Sequence, residues 1–295
     1  MSRAAISAGA AARPAGDRRG LLAAATQRLA AAGIDGAERD AAWLLAAACG
    51  LDSPAGMARG GPVDSAAGQR FAAMLERRAA REPVSRILGR RGFWTLDLAV
   101  TPDVLDPRAD SELLVELLLA RLPGRDAAPT IVDLGTGSGC LLLALLAELP
   151  AARGLGIDLS AAALCVARDN AAAAGLGGRA RFLRADWTTA LRTGCADIVL
   201  SNPPYIASDA LPGLMPEVRD HDPPLALDGG PLGLDAYARI VPDLPRLLRP
   251  GGLAALEVDR ATTRAVAGLL DRAGATRVVA ADDLAGVPRA LLAEW

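Results

Sequence analysis

The chain has 295 residues, with 34 acidic and 32 basic side chains and a formal net charge of −2. All 32 bases are arginine and the only histidine is His221, which excludes lysine Schiff-base chemistry, a phosphate loop ending in Gly-Lys-Ser/Thr and a two-histidine zinc motif. The length points to two domains, and the near-neutral charge argues against bulk electrostatic binding of nucleic acid.

The first 16 residues are alanine-rich without a leucine-rich segment, and read as a frayed start rather than a signal peptide. Residues 20–82 carry helical spacing. Leu21, Leu22, Leu29 and Ile34 start an apolar face, and Trp43, Leu44 and Leu45 continue it before a stop at Gly50. Phe71, Met74 and Leu75 mark a third helix over 64–81, ended by Pro83. From Ile87 to Val100 the pattern becomes strand and turn, as in a hairpin.

From residue 111 the chain alternates. Helix 111–121, strand 130–134, helix 139–148, strand 154–158, helix 160–174 and strands 180–184 and 196–201 are expected in turn. Helix 235–248, strand 252–258, helix 261–273 and strands near 276–281 and 289–294 follow. This alternation predicts an α/β fold with a mostly parallel, doubly wound sheet, whose ligands bind at the carboxyl ends of the strands. The longest apolar run, Cys140 to Ala147, is far shorter than the roughly 18 residues of a membrane span, so a soluble, cytoplasmic protein is expected. Cys49, Cys140, Cys165 and Cys195 lack CxxC spacing and read as buried thiols.

Four motifs carry the chemistry. Gly135-Thr136-Gly137-Ser138-Gly139 follows Asp133 and Leu134 at a strand end and opens a helix. Its glycines let the backbone turn tightly and approach a ligand, and GxGxG after an acid is the pattern of S-adenosylmethionine sites. Asp158 ends the next strand, where an acid can accept from both ribose hydroxyls; the alternative is a helix cap, for which Ser160 is the better candidate. Asp186 and Trp187 suit an adenine, as acceptor for its amine and cover for its ring, although Trp187 also reads as a core residue.

Ser201-Asn202-Pro203-Pro204-Tyr205 closes the strand at 196–201. Two prolines force extended backbone. The side-chain oxygen of Asn202 and the carbonyl of Pro203 offer two acceptors to a planar –NH2 group, and Tyr205 offers a ring to stack on a flat substrate.

Asn202 to Tyr205 after such a loop resembles the amino methyltransferases, which include N6-adenine DNA and N5-glutamine protein methyltransferases. Further segments resemble the peptide chain release factor N5-glutamine methyltransferases: Glu82-Pro83-Val84 through Gly89, Phe93-Trp94, and Asp106 to Glu112. Asp186-Trp187, Glu217-Val218, Leu225 to Gly230 with Gly233-Leu234, and Asp283 to Arg289 continue the match. It runs from about residue 20 to 295, with departures at Asp106, Ala109, Ser111, His221, Asp222 and Asp259.

The resemblance implies a Rossmann-like class I S-adenosylmethionine-dependent methyltransferase domain at 111–295. A helical substrate-recognition domain at 1–85 and a hairpin linker at 86–110 would precede it. The implied methyl donor is S-adenosylmethionine, with no metal, and the implied acceptor is the glutamine of the Gly-Gly-Gln loop of class 1 release factors. Gly135, Thr136, Gly137, Ser138, Gly139, Asp158, Asp186, Trp187 and Asn202 would contact the donor. Asn202, Pro203, Pro204 and Tyr205 would hold the glutamine amide, with Asn202, Pro203 and Tyr205 catalytic. A monomer without membrane or direct nucleic-acid contacts is expected. The alternatives are a ribosomal-protein glutamine methyltransferase, an adenine methyltransferase and a non-catalytic donor-binding protein. An adenine enzyme would need a strongly basic base-flipping groove, and intact Asn202 to Tyr205 argue against loss of catalysis.

Overall fold

The structure, a computed structural model, describes residues 16–57 and 61–295. The expectation for the first 16 residues, apart from Gly16, lies outside them. The chain divides into two compact units, one ending at Leu88 and the other spanning Gly89–Trp295.

The N-terminal unit holds β1 (Gly16–Asp17), α1 (Arg18–Ala31), α2 (Ala37–Ala48), β2 (Pro62–Val63), α3 (Ser65–Ala79) and α4 (Val84–Leu88). Asp17 and Asp64 accept hydrogen bonds from the N–H groups of Gly20 and Ala67 (2.6 and 2.7 Å), satisfying amides that α1 and α3 leave unpaired at their starts. Leu29, Leu44, Leu45 and Phe71 meet in the core. Trp43, read onto the same face, is 36% exposed instead, because turning Leu44 and Leu45 fully inward leaves their neighbour at the edge. Ile87 and Leu88, expected in a strand, lie in the short helix α4. Pro83 presets its first turn, and the Ile87 N–H donates to the Pro83 carbonyl at 3.0 Å. Buried Arg78 and Asp40 pair at 2.9 Å.

The second unit opens with the hairpin β3 (Arg90–Phe93) and β4 (Leu96–Ala99), then α5 (Glu112–Arg121). Next come β5 (Thr130–Leu134), α6 (Cys140–Glu148), β6 (Arg153–Asp158), α7 (Ala161–Ala173), β7 (Ala180–Arg184) and β8 (Ala196–Ser201). The remaining elements are α8 (Pro216–Arg219), α9 (Asp235–Ile240), α10 (Leu244–Leu247), β9 (Leu248–Glu257), α11 (Thr263–Arg272), β10 (Arg277–Asp282) and β11 (Pro288–Glu294). The helix expected over 235–248 is broken. Pro242 and Pro245 withhold amide hydrogens, and a 3-10 turn, Val241–Asp243, separates α9 from α10.

The sheet runs β10-β11-β9-β8-β5-β6-β7. β9, β8, β5, β6 and β7 are mutually parallel, and β11 is antiparallel to both of its neighbours. Successive residues of a strand face opposite sides. In β8, Ile198 and Leu200 join one core with α5 and α6, while Val199 joins the other with α9, α10 and α11. Both faces are therefore covered, which is why β5 and β8 read as nearly unbroken apolar runs. The strand order reverses between β5 and β8, so a crevice opens beyond their carboxyl ends. Of the four free cysteines, Cys165 is exposed on α7 and Cys49, Cys140 and Cys195 are partly buried, short of the burial expected. Among the described residues no helix is long and apolar enough to cross a membrane.

Candidate active site

The loop after β5 takes its shape from three glycines in the left-handed region: Gly135 (φ 73°), Gly137 (φ 54°) and Gly139 (φ 83°). The Gly135 and Thr136 N–H groups both donate to the Ile157 carbonyl, at 2.8 and 2.9 Å, fixing the loop to the end of β6. A Cβ on Gly135 would stand 3.2 Å from the Trp187 ring. Asp158 accepts from the Gly137 N–H (2.9 Å) and the Ser160 N–H (2.8 Å), so it braces the loop. Ser160 itself caps α7, accepting from the Ala163 N–H.

Beyond these strand ends lies a cavity of about 530 Å³, a usual size for a small-molecule site. Gly135, Thr136, Gly137, Ser138, Asp158, Asp186, Trp187, Asn202 and Pro204 line it. Gly139, Pro203 and Tyr205 do not: Gly139 starts α6 beneath the loop, Pro203 is buried, and Tyr205 packs against the α9–α11 core. Trp187 touches that same core while also lining the cavity. It adopts φ 49°, a costly conformation for a bulky residue that is held only by its surroundings. Asp186 is paired across the rim with Arg239 of α9.

Asp133 lies under the loop with 1% exposure. Its Oδ2 accepts from Thr136 Oγ1 at 2.6 Å, whereas its Oδ1 has no partner among the described residues. Burial pushes its carboxyl up to about 7, against the Thr136 bond that lowers it.

At the far end, Ser201 Oγ donates to the Leu134 carbonyl at 2.6 Å, tying β8 to β5 where Asn202 emerges. Asn202 Nδ2 donates to Ser111 Oγ at 3.2 Å, and Ser111 Oγ donates to Glu257 Oε2 at 2.5 Å. The Tyr205 hydroxyl donates to Glu257 Oε1 at 3.3 Å. Glu257 is 2% exposed. Burial raises its carboxyl to about 7, opposed by the Ser111 and Tyr205 bonds, and burial also raises the Tyr205 phenol.

The Leu225 to Gly230 segment supports the Pro-Pro-Tyr turn. Ile206 N–H donates to the Leu227 carbonyl (3.1 Å) and Gly229 N–H returns to the Ile206 carbonyl (2.8 Å). A Cβ on Gly229 would stand 2.8 Å from both the Pro204 carbonyl oxygen and Tyr205 Cα, so this position requires glycine. Arg108 pairs with buried Asp222, joining two more stretches that line the cavity. His221, beside it, is outside the lining.

Sequence reasoning had not assigned Ser111, Glu257, Asp133 or Arg239 to the site. Glu257 left one signal: a lone carboxylate ending the apolar run Leu253 to Leu256, on the side of the sheet where ligands bind. Ser111 stood in the resembling segment Asp106 to Glu112 without a role and Arg239 left no signal, since only folding brings them near residues 91 and 53 positions away. Among the described residues no group of three or more His, Cys, Asp or Glu could hold a metal ion.

A glycine loop at the strand-order reversal, an acid on the next strand and an Asn-Pro-Pro-Tyr turn on the neighbouring one define a class I methyltransferase. Residues 107–213 match the Methyltransferase small domain, and a methyltransferase from Pyrococcus furiosus shares the fold. That structure has a TM-score of 0.50 at 14% identity, covering 77% of this chain and 98% of its own. Residues 20–89 match the PrmC N-terminal domain. The release factor glutamine methyltransferase of Caulobacter vibrioides is 47% identical, over 91% of this chain and 93% of its own length. That of Cereibacter sphaeroides is 49% identical, over 91% and 95%. The chain belongs to the release factor glutamine methyltransferase family.

Proposed function

We propose that this chain transfers a methyl group from S-adenosylmethionine to the side-chain amide nitrogen (N5) of a glutamine in class 1 peptide chain release factors, at their Gly-Gly-Gln motif. The observation that carries this reading is the Asn202 amide at the wall of the 530 Å³ cavity, on the same strand ends as the glycine loop. Relatives of 47 and 49% identity that bear this activity in their names support the acceptor. Work on release factors would place the enzyme in the cytoplasm.

The residues present fit the donor. A Cβ at Gly135 would crowd Trp187 on the cavity wall, and the unpartnered Oδ1 of Asp133 is an acceptor suited to an ammonium group. Asp158 would accept from ribose hydroxyls, and Trp187 with Asp186 would face the adenine. When bound, the donor supplies a methyl carbon already activated by the positive charge on its sulfur.

An amide nitrogen is a weak nucleophile because its lone pair is delocalised into the carbonyl. The chain's contribution is orientation. Hydrogen bonds from the –NH2 group to Asn202 Oδ1 and the Pro203 carbonyl would turn the nitrogen toward the methyl and raise its electron density. Two acceptors match two hydrogens, so the amide needs no prior deprotonation. The transfer is an in-line displacement, for which positioning supplies much of the rate.

Asn202→Ala is expected to keep donor binding by calorimetry and to lose about 100-fold or more in methyl transfer to a purified release factor. Wild-type transfer by this variant would refute the mechanism. Parallel assays with ribosomal protein and DNA test the other acceptors.

A further inference from the structure

Glu257 is buried at the edge of the site, and as a carboxylate it can only accept, which sets the direction of the hydrogen bonds around it. Its Oε2 accepts from Ser111 and its Oε1 from Tyr205. A serine hydroxyl has one hydrogen. With that hydrogen given to Glu257, Ser111 Oγ can meet Asn202 only as an acceptor. The Asn202 side chain must therefore turn its Nδ2 to Ser111, which it does at 3.2 Å, and keep Oδ1 for the other side.

An asparagine amide is nearly symmetrical in shape, and only its neighbours decide which end faces a substrate. Here the decision is passed along Glu257, Ser111 and Asn202. We infer that Glu257, acting through Ser111, is a positioning residue that holds the Asn202 amide with its oxygen toward the acceptor nitrogen. This rests on the reading of Asn202 as the acceptor for a substrate –NH2 group.

The relay has a polarity that protonation of Glu257 disturbs. A protonated carboxyl carries a hydrogen that must go to Ser111 or Tyr205. If it goes to Ser111, the serine hydrogen turns toward Asn202 and favours the flipped amide, with Nδ2 facing the substrate –NH2. Two donors then oppose each other and the acceptor nitrogen is no longer held.

Other groups face Glu257 from each side. Asp110 precedes α5, and Cys140 starts α6. Tyr237 of α9 donates to the Glu257 backbone carbonyl at 2.6 Å, and Asp259 lies near both tyrosines. Arg289 of β11 favours the ionised carboxylate, while Asp110 opposes it. The carboxyl is held at about 7, so the relay changes state near neutral pH. The ionised, productive relay dominates above that value and is lost as pH falls through it.

The experiment measures methyl transfer to a purified release factor, with separate kcat and KM, across pH 5.5–9 for wild type, Glu257→Gln, Ser111→Ala and Ser111→Thr. Calorimetric donor binding and thermal melts accompany each protein. Wild-type kcat is expected to rise with pH through about 7. Glu257→Gln, whose amide must donate to one hydroxyl, is expected to lose about 100-fold in kcat and the acid limb, with donor binding unchanged within about twofold. Ser111→Ala should lose a similar factor, and Ser111→Thr, which restores the hydroxyl, should recover about tenfold over it. The inference is overturned if folded Glu257→Gln keeps wild-type kcat or the wild-type acid limb. It is equally overturned if Ser111→Ala does so, which covers the case in which Glu257→Gln does not fold. Failure of the wild type to methylate the release factor would instead overturn the proposed function and leave a distinct signature.

Discussion

Two carboxyls at the strand ends are held near neutrality by burial, for different uses. Asp133 supports the glycine loop through Thr136, and Glu257 faces the Asn-Pro-Pro-Tyr turn. Each is raised to about 7 because burial disfavours the charged form. A carboxyl raised in the folded state contributes stability that is fully present below its unfolded value and is lost as pH rises through the folded one. Both residues therefore weaken the fold as pH rises from about 4 to about 7. Asp133→Asn removes one of these contributions. Its melting temperature, compared at pH 5 and pH 8, is expected to fall less than the wild type's; an equal fall would show that Asp133 is not the titrating group.

At the scale of elements, the turn after β8 is shaped by a segment more than twenty residues later in the chain. Gly229 lies against Pro204 and Tyr205 so closely that any side chain must push the turn outward. Gly229→Ala is expected to lower kcat by about 100-fold, because a small displacement of Asn202 and Pro203 misaligns both acceptors. The glycine loop, anchored separately to Ile157 and Asp158, is expected to keep its donor affinity. Loss of donor binding in this variant would mean that the two halves of the cavity are not independently supported. Glycines 229 and 233 were visible in the sequence as part of a resemblance, but their physical need was not, since the atoms they avoid belong to another segment.

The whole chain is two units, each with its own apolar core. We propose that the helical unit, residues up to Leu88, contacts the protein substrate while the second unit carries the chemistry. A chain beginning at Gly89 is expected to bind the donor with wild-type affinity and to show a raised KM for the release factor. Unchanged KM would remove any recognition role from the first unit. Within each unit the backbone was legible to different degrees. Strands β5 and β7 run over the residues that the apolar pattern predicts, whereas the helix expected over 235–248 ignored two prolines and came out in pieces.

By itself the sequence determined the doubly wound sheet, the glycine loop, Asp158 and the Asn-Pro-Pro-Tyr turn. Those are local properties: periodicity, backbone freedom and the fixed φ of proline act over a few neighbouring residues. Tertiary structure alone decided which way the Asn202 amide faces. That direction depends on one hydroxyl 91 positions away and a carboxylate 146 positions beyond the hydroxyl. A hydrogen bond acts only at contact distance, so no pattern of spacing along the chain can encode its direction. Folding brings Ser111 to the carboxyl ends of the neighbouring strands β8 and β9, where Asn202 and Glu257 lie, and burial there holds the carboxyl near neutrality.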